Sequence, residues 1–281
     1  MSQRNLTLRQ FDMMELLNDS TILVLGKRRS GKSWLLRDIM YHKRNIRKAL
    51  VFSGTEEASP FFGDFIPSTF IYSEYKPDIV QDVILKQQRS IKRSKENGLS
   101  EDGKTYRNNM TLIMDDLLHD ASNWKKEKSV KDLMFNGRHY NIMYILAIQY
   151  IYGIPPEFRN NLDYVFMFAD SSPKNRRKLY DDFGSAVETF REFCDILDQC
   201  TKDYGCLVIK LSATGSNRLI DQLFWYRAEK HTNFRVGCDE MWKYHNQHYD
   251  SNYTENNANT YKKVLKVYVN KENKILGHDT R

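Results

Sequence analysis

Residues 26–33 read Gly26-Lys27-Arg28-Arg29-Ser30-Gly31-Lys32-Ser33, a complete G-x-x-x-x-G-K-S run. Glycines at both ends let the backbone curl into a nest whose N–H groups point at phosphate oxygens. A helix opening on that nest adds the positive end of its dipole. Lys32 is then placed to bridge the β- and γ-phosphates of a nucleoside triphosphate, and the Ser33 hydroxyl to ligate Mg²⁺. Gly26, Lys27, Arg28, Arg29, Ser30 and Gly31 complete the loop around the phosphates. Arg28 and Arg29 have three open uses: phosphate contact in the same subunit, contact with a neighbour, or plain exposure.

A second feature, an acidic one, follows about eighty residues later. Thr111-Leu112-Ile113-Met114 is an apolar strand that runs into Asp115-Asp116. This is a Walker B pattern, in which the first carboxylate holds Mg²⁺ and the second orients or deprotonates the attacking water. An acidic turn after an ordinary strand is the bland alternative. Gln149 closes the next apolar run, Asn141-Ile142-Met143-Tyr144-Ile145-Leu146-Ala147-Ile148. At the tip of a strand beside Walker B it is placed to sense a γ-phosphate; an uncommitted strand-end glutamine is the competing reading.

These residues need a sheet edge to meet on. Thr21–Leu25 reads as a buried strand feeding the loop, with a helix from Ser33 to about Tyr41 leaving it. Strands are expected at 49–53, 111–114, 141–148, 164–168 and 205–211, with helices near 77–93, 127–140, 173–182 and 185–202. Strand, helix, strand in this order implies βαβ units and a mostly parallel sheet flanked by helices. A strand between the loop strand and Walker B would make the chain an additional-strand, RecA-like P-loop NTPase of the α/β class. Residues 1–20 read as a short helical lead-in, 21–230 as the core and 231–281 as an appendage. The periodicity of 261–269 fits helix or strand.

The chain has 281 residues, enough for one large α/β domain, and 41% of them are hydrophobic, enough to fill its core. A net charge of +7 suits an anionic partner such as nucleic acid. Three basic runs could touch it: Lys86 to Arg107, Lys125 to Lys131, and Lys174 to Lys178; a solvated face is the ordinary reading of each. The four cysteines have neither disulfide-framework nor paired zinc-site spacing. Cys238, His245 and His248 form a loose three-ligand set with no obvious fourth. No run approaches the length of a membrane span, and Met1–Asn5 lacks a secretory apolar region.

Asn136-Gly137-Arg138-His139-Tyr140-Asn141-Ile142, leading into the strand that ends at Gln149, resembles the FtsK–HerA superfamily of motors, in which a Gly-Arg pair precedes such a strand. Phe52-Ser53-Gly54-Thr55-Glu56, Asp115-Asp116, Ser172-Pro173-Lys174-Asn175 and Leu223-Phe224-Trp225-Tyr226-Arg227-Ala228 make the poxvirus-type DNA-packaging ATPases of nucleocytoplasmic large DNA viruses the most similar branch. The resemblance covers roughly residues 20–230. It implies an ATP- and Mg²⁺-dependent translocase that threads double-stranded DNA into a capsid as a homo-oligomeric ring. It also implies work in the host cytoplasm or viral factory, or on the virion, with capsid proteins as further partners. Arg138 matches the superfamily's arginine finger, which reaches a neighbour's γ-phosphate; a helix-end arginine serving carbonyls or an ion pair is the alternative. Arg159 is a further finger candidate. Many superfamily members have Asp-Glu where this chain has Asp115-Asp116. A HerA-like helicase, a poorly hydrolysing nucleotide-binding scaffold and a P-loop kinase are the rival functions.

Overall fold

The structure, a computed structural model, describes residues 6–96, 108–117, 124–212 and 218–250. Its strands are β1 (Thr21–Leu25), β2 (Lys48–Ser53), β3 (Ile71–Tyr72), β4 (Met110–Asp115), β5 (Ile142–Ile148), β6 (Tyr164–Met167), β7 (Gly205–Lys210) and β8 (Leu223–Arg227). Its helices are α1 (Lys32–His42), α2 (Pro77–Glu96), α3 (Lys128–Asn136), α4 (Pro156–Arg159), α5 (Pro173–Phe183), α6 (Phe190–Cys200), α7 (Leu219–Gln222) and α8 (Asp239–His248). The strands form one sheet in the order β3-β2-β4-β5-β1-β6-β7-β8. From β3 to β6 every pairing is parallel; β7 runs antiparallel to both β6 and β8.

The central strands are apolar along their whole length because the sheet is covered on both faces. On one face Leu23, Leu25, Leu50, Phe52, Leu112 and Met114 pack with Val80 and Ile84 of α2, Leu133 of α3, Leu179 of α5 and Leu197 of α6. On the other, Ile22, Val24, Val51 and Ile113 pack with Leu35, Leu36 and Ile39 of α1 and Met241 of α8. Each such side chain, fully buried, stabilises the fold by about 1.5–3 kcal/mol.

β5 lies between β1 and β4, the strand insertion expected of the additional-strand class. β1 and β2, consecutive in sequence, are not neighbours: β5 and β4 separate them. Local order therefore gives a parallel sheet but not its strand order. Before β1 there is a single 3-10 turn, Met13–Glu15, and no longer helix among the described residues. Arg9 and Phe11 instead bond to both sides of Trp225, so this segment covers the β8 edge. α3 stops at Asn136, followed by a 3-10 turn, Gly137–Tyr140. Asn141 takes a left-handed conformation (φ 53°) to enter β5. α6 starts at Phe190, where Thr189 and Glu192 form a reciprocal capping box, later than the expected start at 185. Residues 261–269 lie outside the described residues.

Candidate active site

The C-terminal edge of a parallel sheet collects the loops that follow its strands. β1 delivers residues 26–31 there, and α1 begins at Lys32. Two glycines are needed for shape. A Cβ on Gly26 would sit 2.4 Å from Ser30 Oγ and 2.9 Å from Phe168 Cβ. Gly31 has φ 110°, a conformation that side-chain-bearing residues resist. Phe168, one residue past β6, is the floor against which the loop is folded. Lys27 reaches across to Asp170 at 3.0 Å, tying the loop to the segment before α5.

Lys32 is buried, and its ammonium donates to the carbonyls of Gly26 (2.6 Å) and Lys27 (3.2 Å). Burial pulls its pKa down, while Asp115 and Asp116 push it back up. The ammonium thus stands in the field of both carboxylates. Ser33 and Arg28 are exposed, as is Arg29, which takes φ 62° in the loop.

Asp115 is the last residue of β4, in register with Ser53 of β2 and Ala147 of β5. It is 7% exposed. Burial raises its pKa to about 7, against the pull of Lys32 and with added push from Asp116 and Glu56. A carboxylate in the field of two others is where a hard divalent cation is most stabilising. The oxygen donors present therefore fit Mg²⁺. Asp116 leaves the strand with φ 49° and its N–H on the Ala147 carbonyl. The amide of Gln149 donates to both Asp116 oxygens, at 2.7 and 2.8 Å. Glutamine and second carboxylate thus form one unit at the sheet edge.

Arg138 lies elsewhere. It pairs with Asp163 Oδ1 at 2.5 Å, and Asp163 Oδ2 accepts from the Thr21 N–H at the start of β1. The phosphate loop is at the other end of that strand, about 16 Å away at ~3.3 Å per residue. Arg138 is still 61% exposed. Arg159 is committed to Asp182 and the Ile154 carbonyl.

The basic runs separate as well. Gln87 of α2 bonds to the carbonyls of Asn108 and Tyr140, so the C-terminal half of α2 lies at the edge away from the loop. There Lys92 pairs with Glu96; Lys104 and Arg107 lie outside the described residues. Arg176, Arg177 and Lys178 pair with Asp198, Asp181 and Asp182. Lys126, Lys128 and Lys131 are exposed on the stretch following β4. Cys238, His245 and His248 do not converge: Cys238 caps α8, His245 bonds to Thr69 Oγ1 at 2.7 Å, and His248 bonds back to the Tyr244 carbonyl. All four cysteines are free thiols.

Two contributors were not legible in the sequence as site parts. Glu56 accepts from the N–H groups of Phe61, Phe62 and Gly63, folding the loop after β2 while its charge acts on Asp115. Asp38 of α1, fully buried, accepts from Tyr226 Oη, the Glu229 N–H and His231, pinning the loop helix to β8 and the chain after it. A charged residue on the buried face of α1 was the available signal.

Comparison with known proteins adds to this geometry. The genome packaging NTPase B204 of Sulfolobus turreted icosahedral virus 2, in complex with AMPPCP, superposes with a TM-score of 0.52 at 16% identity, covering 76% of this chain and all of that one. That similarity is one of fold. The uncharacterized protein L437 of Acanthamoeba polyphaga mimivirus is 32% identical over 256 residues, covering 90% of this chain and 88% of its own. Protein 088R of Invertebrate iridescent virus 3 is 35% identical over 228 residues, covering 79% and 82%. The family model for the Poxvirus A32 protein matches residues 8–203, most of the sheet and every residue of the edge just described. The chain belongs to the Poxvirus A32 protein family.

Proposed function

We propose that this protein is an ATPase motor that drives double-stranded DNA into a viral capsid, working as a homo-oligomeric ring. The observation that carries the reading is the meeting of Lys32, Asp115 and the Asp116–Gln149 unit at one sheet edge, in a member of a viral family. The genome packaging NTPase of similar fold supports the same activity.

In this reading Lys32 turns from the Gly26 and Lys27 carbonyls to the β- and γ-phosphate oxygens of ATP. The N–H groups of residues 26–31 hold the phosphates. Ser33 and Asp115 would hold Mg²⁺, which when bound neutralises phosphate charge. Asp116 takes the proton of the attacking water, and ADP and phosphate leave. Gln149, bonded to both Asp116 oxygens, orients the base and senses the γ-phosphate beside it. Arg138, at the far edge of its own subunit, reaches a phosphate only by facing a neighbour's loop. Lys126, Lys128 and Lys131 would follow the DNA backbone without reading bases. Capsid proteins are the expected docking partners.

Steady-state phosphate release tests the reading. Hydrolysis should rise on adding duplex DNA of arbitrary sequence and vanish in Lys32→Ala, whose far-UV spectrum should match wild type. A wild-type rate at background, with or without DNA, would leave a nucleotide-binding scaffold as the better reading. A kinase would transfer phosphate to an acceptor instead of to water.

A further inference from the structure

The turn between α6 and β7 brings an aromatic residue, Tyr204, against the phosphate loop. Asp203 (φ 51°) and Tyr204 (φ 63°) are both left-handed, while the following Gly205 has an ordinary φ of −69°. Residues with side chains resist that region, and such strain collects where a ligand needs a side chain presented. Tyr204 is 71% exposed. Its Cβ lies 3.6 Å from the point a Cβ on Gly31 would occupy. Gly31 is the residue before Lys32, so Tyr204 stands beside the nest itself.

Strand order says which end of a nucleotide would meet it. Lys32 is in the field of Asp115 and Asp116, at the ends of β4 and the turn beside β5. The γ-phosphate end therefore points toward β5 and β4. β6 and β7 lie on the opposite side of β1. Because β7 is antiparallel, its first residue, Gly205, lies at the same sheet edge as the loop. A triphosphate with its γ end toward Asp116 must send its ribose and base out toward β6 and β7, where Tyr204 stands.

We propose that Tyr204 is the stacking platform for the nucleotide's base, favouring the larger face of a purine over a pyrimidine. The proposal rests on the ATP reading above. The ring would bind, not catalyse, so its loss acts on affinity. Every base has a π face, so the preference it confers is graded, not absolute.

The test compares Tyr204→Asn and Tyr204→Phe with wild type. Asparagine tolerates the left-handed backbone but has no ring, so the turn is kept and the platform is lost. KM for ATP should rise about fivefold or more in Tyr204→Asn, about fivefold being the low end of what base–aromatic stacking contributes, with kcat within about twofold. Tyr204→Phe should match wild type, and the ATP-over-CTP preference should narrow only in the asparagine variant. Inhibition by inorganic tripolyphosphate, which has no base, should be equal in all three proteins. A wild-type KM in Tyr204→Asn overturns the proposal. So does a matching loss of tripolyphosphate inhibition, which would mean a deformed phosphate loop. If wild type neither hydrolyses ATP nor binds tripolyphosphate, the nucleotide reading itself fails and the stacking role falls with it.

Discussion

Replacing Asp116 and Gln149 singly and together asks whether they act as one unit. The Gln149 amide lies 2.7 and 2.8 Å from the two Asp116 oxygens. A hydrogen bond to a charged acceptor contributes about 1.5–3 kcal/mol, and losing its control of the base should slow kcat by about 10- to 150-fold in Gln149→Leu. A positioned general base is worth roughly 10²–10⁴-fold, so Asp116→Asn should lose at least about 10². Asparagine is the right replacement because Asp116 is left-handed (φ 49°). Alanine there would add backbone strain of about 1–2 kcal/mol and confuse the result. Independent effects would multiply to about 10³-fold or more in the double variant. If Gln149 works through Asp116, the double variant should instead stay within about fivefold of Asp116→Asn alone. Single-turnover phosphate release measures the chemistry, and equilibrium binding of a fluorescent ATP analogue checks that affinity is kept. Multiplicative losses would refute the coupling, and undiminished turnover in Asp116→Asn would move the base to another residue.

Other perturbations probe different parts of the molecule. Asp115→Asn should abolish turnover yet raise the melting temperature by about 2 °C or more, because it removes a buried carboxylate raised to about 7 by burial and by its acidic neighbours; calorimetry checks this. Asp38→Ala should cost about 3–5 kcal/mol in urea unfolding, since it strips the partner of Tyr226, Glu229 and His231 from a fully buried position. Arg138→Ala and Lys32→Ala subunits, each inactive, should regain partial hydrolysis when mixed, because one supplies the intact loop and the other the intact arginine. Absence of rescue in co-assembled mixtures, with Arg138 remote from every subunit boundary, would leave it as the partner of Asp163. Affinity for two unrelated duplexes should be nearly equal and fall together, by about 10²-fold or more, between 50 and 200 mM salt; a strong preference for one duplex would contradict a backbone-tracking motor.

Much of the fold was legible because its signals are local. A run such as Thr21–Leu25 is too short and too apolar for a surface helix, and the G-x-x-x-x-G-K-S run behind it can only be a tight turn into a helix. The Asp115-Asp116 pair announces a strand end, since two adjacent charges cannot continue a strand buried on both faces. The capping box at Thr189 and Glu192 is equally visible, yet the sequence reading begins the helix five residues sooner, because its polar lead-in also suits a helix. β8 does not read as a strand, because its outward residues Trp225 and Arg227 are exposed and, among the described residues, its free edge is met by residues 9–11.

Composition and spacing alone account for the class of the protein: a parallel sheet, a phosphate nest at the end of its first strand, and an acidic pair at the end of another. These are properties of contiguous residues, so a chain read in one dimension carries them. Strand order is different. β5 enters between β1 and β4, and this brings Gln149 onto Asp116 although the two are far apart in sequence. The same order sends Arg138 to the edge opposite the loop and sets Tyr204 beside Gly31. Non-local pairings follow from how two apolar faces are covered at once, a condition on the whole chain that no single segment expresses.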